Sequence, residues 1–143
     1  MKYLFILISF LSFIQFSLAA EKTYTLQSGD ASLSVVKDGK RLILQTGNAH
    51  YLSLNAPYVV TLEVNAETLN GYYSSVKEEK GSLVCIAKLK SSHGTVFHVK
   101  DVFAPDTENH FRMDREVTIE KIGKGDDYFN SYFGLTLQRK TQI

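Results

Sequence analysis

Ser32-Leu33-Ser34-Val35-Val36-Lys37, then Asp38-Gly39, then Lys40-Arg41-Leu42-Ile43-Leu44-Gln45 is a pair of alternating apolar runs around a turn dipeptide. Asp-Gly in that setting is the strongest short-range hairpin signal, because a type I′ turn needs positive φ at both central residues. The pairing would point Leu33 and Val35 to the core beside Leu42 and Leu44. The same two-residue period recurs along the chain, with β-branched and aromatic residues frequent. It predicts strands at Tyr58 to Val64, Tyr72 to Val76, Ser82 to Leu89, Thr95 to Val102, Phe111 to Ile122 and Tyr132 to Gln138, with Thr23 to Gln27 as an edge strand. Asn70-Gly71, Lys80-Gly81, His93-Gly94, and Gly123 with Gly125 read as the turns between them. Pro57 and Pro105 fall in connections, and any helix is a single turn at Ala66-Glu67-Thr68-Leu69. The expected fold is all-β, an antiparallel β-sandwich.

Ahead of these strands, Lys2, the apolar run Leu4 to Phe16 and the small residues of Ser17-Leu18-Ala19 have the form of an export signal. Cleavage after Ala19 divides the chain into a signal peptide at 1–19 and a single domain at 20–143. The apolar run is short for a span of about 20 residues, so no membrane attachment is expected after cleavage, and the location is periplasmic or secreted. The 16 basic and 15 acidic residues are interleaved, and loss of Lys2 leaves a charge near zero. That excludes the clustered basic face of a nucleic-acid binder.

Cys85 is the single cysteine, so no internal disulfide is available. In Leu83-Val84-Cys85-Ile86-Ala87 it reads as a small buried hydrophobe. His50, His93, His98 and His110 are scattered without metal-ligand spacing, and no metal or other cofactor is expected. His93 reads as a turn residue and His98 as solvent-facing on its strand. No serine has the flanking glycines of a nucleophile elbow. Gly123-Lys124-Gly125-Asp126-Asp127 lacks the glycine pattern and the following helix of a phosphate loop, and reads as a solvated turn.

Along Phe111 to Glu120, Phe111, Met113, Val117 and Ile119 share one face with Arg115. A buried unpaired charge costs several kcal/mol, so Arg115 must reach solvent or a carboxylate, and Asp101 is the candidate partner. Tyr72, Tyr73, Tyr128, Phe129, Tyr132 and Phe133 supply aromatic faces that either pack or stack on sugar rings. Tyr72, Tyr73, His110 and Tyr128, expected in loops, are the candidate ligand-binding residues.

Gly94-Thr95-Val96-Phe97-His98-Val99-Lys100-Asp101, then the strand with Arg115 and Val117, then Phe129-Asn130-Ser131-Tyr132-Phe133 resembles a pattern of exported glycoside hydrolases of Bacteroidetes. It is similar to their N-terminal supersandwich, which precedes an (α/α)6 six-hairpin catalytic domain. The resemblance covers about the last third of the chain and implies an accessory domain without the catalytic part, so no catalytic residue carries over. Its implied partners are a catalytic glycosidase domain or chain, or carbohydrate. The alternative is an independent periplasmic or secreted module that binds a glycan or a protein.

Overall fold

A computed structural model describes residues 22–36, 40–45, 52–55, 59–133 and 136–139 of the chain. The proposed leader, the Asp38-Gly39 turn, His50 and Pro57 lie outside them. Strand β1 (Tyr24–Ser28) pairs with β2 (Ala31–Val36), which pairs with β3 (Arg41–Gln45), all antiparallel. Val36 faces Arg41, Val35 faces Leu42 and Leu33 faces Leu44. Leu33, Val35 and Leu42 are buried. A strand not anticipated from the sequence, β4 (Leu52–Asn55), continues this sheet.

Strands β5 (Val60–Val64) and β6 (Glu67–Gly71) form a second hairpin, with Val64 opposite Glu67. Its turn is Asn65-Ala66, where Asn65 adopts φ 51°. Asparagine enters this left-handed region more cheaply than most residues. The helical turn expected at Ala66 to Leu69 is therefore absent. Four residues cannot repay helix nucleation, whereas the extended chain buries Leu69 opposite buried Leu62. Asn70 and Gly71, expected as a turn, instead pair with Thr61 and Val60.

The four-stranded sheet runs β10-β9-β8-β7, built from β7 (Ser75–Glu79), β8 (Ser82–Lys90), β9 (Val96–Pro105) and β10 (Phe111–Lys121). Lys80 and Gly81 join the first two at φ 49° and 76°, the double positive φ of a type I′ turn. Strand β7 begins at Ser75 rather than Tyr72, because residues 72–74 cross between sheets before Ser74 N donates to Ile86 O at 2.7 Å. The last expected strand is split. β11 (Phe129–Tyr132) pairs with β5, and β12 (Thr136–Arg139) pairs with β4.

The described strands thus make three antiparallel sheets, ordered β1-β2-β3-β4-β12, β11-β5-β6 and β10-β9-β8-β7. Alternation puts Leu83, Cys85, Ala87 and Leu89 of β8 and Phe97, Val99 and Phe103 of β9 inward. They join Leu26, Leu33, Val35 and Leu42 of the first sheet and Val60, Leu62, Val64 and Leu69 of the second in one apolar cluster. Each of the valine, leucine and phenylalanine side chains removed from water contributes about 1.5–3 kcal/mol before chain entropy is charged. The opposite face of the four-stranded sheet is solvated. There His98 bonds to Glu120, which also accepts from Lys88 Nζ at 2.8 Å. Those two partners hold the Glu120 carboxyl below its ordinary pKa.

Candidate functional site

Arg115 sits among the half-buried apolar residues of β10, directly opposite Asp101 of β9, whose other neighbour is Cys85 of β8. Asp101 is fully buried. Arg115 Nε donates to Asp101 Oδ1 and Nη2 to Oδ2, each at 2.6 Å, and the Tyr73 hydroxyl donates to Oδ2 as well. The guanidinium then reaches across to the three-stranded sheet, donating to Tyr132 O at 2.8 Å, Ser131 Oγ at 3.2 Å and Val59 O at 3.3 Å. Burial opposes its charge, but the bonds to Asp101 outweigh burial and hold Arg115 above its ordinary pKa. Desolvation and the Asp101 charge push the Tyr73 phenol far up, and the same two causes raise the Cys85 thiol to about 12. Neither group is an available nucleophile at neutral pH, and the cluster is a polar pin joining two sheets.

What that pin holds in place is β11. Phe129, Ser131 and Phe133 face the four-stranded sheet: Phe129 packs on Phe97 at 5.4 Å, and Phe133 lies beside Phe103 and under the Arg115 guanidinium. Period-two alternation turns Tyr128, Asn130 and Tyr132 outward. Asn130 Nδ2 donates to both the Tyr128 and Tyr132 hydroxyls, and the Tyr132 hydroxyl donates to Glu63 Oε2 at 2.5 Å. Its bond to Glu63 raises the Tyr132 phenol. The register places Glu63 opposite Asn130 and Thr61 opposite Tyr132, and on β6 Thr68 opposite Glu63 and Asn70 opposite Thr61. Thr61 Oγ1 donates to Asn70 Oδ1 at 3.0 Å. The result is a sheet face with two tyrosines, 52% and 46% exposed, beside an array of amide, carboxylate and hydroxyl groups.

Beside Tyr128 the strands open into a cleft of about 290 Å³, between Val64, Phe97, Ile119, Ile122, Asp127 and Phe129. Its rim is locked by a second polar cluster. The Asp126 side chain, 3% exposed, accepts from Ser91 Oγ and Thr95 Oγ1, both at 2.5 Å, and from His93 Nδ1 at 3.0 Å. Gly123 N donates to Thr95 Oγ1 at 2.7 Å, and Asn65 Nδ2 to Gly125 O at 2.7 Å. The turn at Gly123–Asp127 is therefore anchored, where the sequence reading had it merely solvated.

The hydroxyl bonds from Ser91 and Thr95 lower Asp126 to about 2 from an ordinary 3.8. Because the folded value is the depressed one, the stabilisation is complete above about 4 and disappears as pH falls through about 2. Amide exchange at Thr95 and Gly123 is expected to accelerate across that window, and the Asp126→Asn variant is expected to lack the transition. Gly123 also has no room for a side chain, since a Cβ there would lie 2.3 Å from His93 O and 2.7 Å from Thr95 N. Gly123→Ala is expected to lower stability by about 1–3 kcal/mol, read as a reduced urea midpoint with unchanged slope.

The residues singled out for ligand binding do not come together. Tyr73 is 2% exposed and bonded to Asp101, which corrects its reading as a ligand-binding residue. Tyr72 is 42% exposed in the crossing before β7. His110 lies in the β9–β10 connection, where its Nδ1 donates to Glu108 O at 2.7 Å. Tyr128 is at the opposite end of the ten-residue β9, about 30 Å away at the usual strand rise. Asn130, Glu63, Thr61 and Asn70 were not singled out, and Tyr132 was noted only among the aromatic faces that either pack or stack. Their signal was the alternation within Tyr128 to Phe133, hidden by placing the strand's start at Tyr132. Among the described residues no three His, Cys, Asp or Glu side chains gather as a metal site, and no helix is long and apolar enough to cross a membrane. No family model, curated protein or solved structure matches the chain.

Proposed function

We propose that the protein is an exported, non-catalytic β-sandwich of the glycosidase-accessory type that binds carbohydrate on the outer face of β11-β5-β6. In this reading the four-stranded sheet is one layer, and the other two sheets together form the facing layer. The observation that carries the proposal is the outward set of Tyr128, Asn130 and Tyr132 with Glu63 opposite. A sugar ring presents polarised C–H groups on one face and hydroxyls around its edge. Tyrosine rings offer a negative π-face to the first, while planar amides and carboxylates serve the second. A carboxylate that accepts one bond from Tyr132 retains acceptor capacity for a sugar hydroxyl.

Rigid strands, pinned from behind by Arg115, hold these groups more firmly than loops would. Glu63 is the one carboxylate in this set, whereas sugar hydrolysis uses two across the scissile bond, which favours binding over turnover. Calorimetric titration of the purified protein with neutral gluco-, manno- and xylo-oligosaccharides is expected to give dissociation constants on the order of 1 mM or tighter for at least one series. Absence of heat with every series at roughly 10 mM would refute the proposal.

A further inference from the structure

The outer face ends at Tyr128, and Tyr128 is also a wall of the neighbouring cleft. Around that opening Ile122 is 70% exposed, Ile119 40% and Tyr128 52%, three large apolar side chains gathered in one place. Such a cluster marks a contact surface more often than an isolated exposed residue does. Its volume of about 290 Å³ lies at the small end of ligand pockets, enough for one sugar residue or a substituent of one but not for an oligosaccharide. Its base is apolar, formed by Val64, Phe97 and Phe129. Asp126 lines it with its oxygens already engaged by Ser91, Thr95 and His93, and Asp127 stands exposed at the rim. Two carboxylates repel an anionic substituent, and a hydroxymethyl group seated below the rim against Val64, Phe97 and Phe129 finds no partner, because the Thr95 hydroxyl in the lining is already engaged by Asp126 and Gly123. The Gly123 and Asp126 anchors hold the walls before any ligand arrives, so little ordering cost attends occupation.

We infer that this cleft is a specificity subsite for a methyl group on a neutral sugar residue whose ring stacks at Tyr128. The inference rests on the carbohydrate reading and narrows it to a substrate class, sugars carrying an N-acetyl or a 6-deoxy methyl. Uronates and sulfated sugars are disfavoured at the same position. A hydrophobic pocket distinguishes one methyl or methylene by about 10–200-fold, so discrimination at the lower end of that range is the expected size.

The test is methyl NMR on isoleucine-labelled protein titrated separately with N-acetylglucosamine, L-fucose, glucose and glucuronate. Ile119 and Ile122 signals are expected to move with N-acetylglucosamine or with fucose, the responding arm identifying which methyl is read. Ile43 and Ile86, on other strands, serve as references. The preferred sugar is expected to bind about tenfold more tightly than glucose, and Ile122→Ser to erase that advantage. Equal affinity for all three neutral sugars, with perturbed Tyr132 and still Ile119 and Ile122 signals, would overturn the subsite while sparing the binding face. Tighter or equal binding of glucuronate would also overturn it. Movement of the isoleucine methyls with Tyr132 unperturbed would preserve the subsite and remove the face. No perturbation with any sugar would remove both.

Discussion

Arg115→Ala is expected to cost about 3–5 kcal/mol of folding stability. The reason lies with the partner left behind. Asp101 is 0% exposed, and in the variant its carboxylate would keep the Tyr73 hydroxyl but lose both guanidinium bonds. Three carbonyl and hydroxyl acceptors on or before β5 and β11 would lose their donor at the same time. Domains of this size have about 5–15 kcal/mol in total, so the variant is expected to be partly unfolded under mild denaturant. Asp101→Ala should cost a similar amount by stranding the cation, and Tyr73→Phe about 1–2 kcal/mol for one hydroxyl bond to a charge. The combined change Asp101→Leu with Arg115→Met is expected to recover much of the loss, because removing both charges removes the desolvation problem. Urea unfolding of the four variants checks this. Additive losses in the double variant would show that the two residues do not act as a pair.

Tyr132→Ala is expected to weaken carbohydrate binding by at least about tenfold, and the double change with Tyr128→Ala to abolish measurable binding. Both rings are about half exposed and lie outside the apolar cluster, so stability should move by less than about 1 kcal/mol. The contrast with Arg115 is diagnostic, since one set of variants should lose binding with the fold intact and the other should lose the fold. Tyr132→Phe separates the two contributions of this residue. It keeps the ring and removes the bond to Glu63, so a small loss assigns the affinity to stacking and a large one to the hydroxyl network. The chain has no tryptophan and eight tyrosines, so the difference in tyrosine emission between the protein and its Tyr128 and Tyr132 variants reports on these two rings.

The all-β class and most strands were legible because alternation is a local property. In Phe111 to Glu120 the side chains face as the sequence pattern has them, and Arg115 stood out as the residue that breaks it. Its meeting with Asp101 was readable because the two strands are consecutive and antiparallel. What the pattern did not disclose was which strands join which sheet. The chain between Tyr132 and Thr136 leaves β5 and joins β4, a decision made by tertiary packing rather than by any local signal. Asn65-Ala66 escaped notice because asparagine without a following glycine is a weaker turn mark than Asn70-Gly71, which lies in β6 instead. Tyr73 and Tyr128 are chemically alike in sequence. One became core because it precedes β7 at a point facing Asp101, and the other reached the surface by the parity of β11.

Amide and side-chain shift mapping of the purified protein during titration with a neutral oligosaccharide tests the central claim most directly. Perturbations are expected to cluster at Tyr128, Asn130, Tyr132, Glu63, Thr61 and Asn70, with the solvated face around His98 and Lys100 unmoved. Perturbations centred on that opposite face, or on the connection holding His110, would contradict the assignment of β11-β5-β6 as the binding surface.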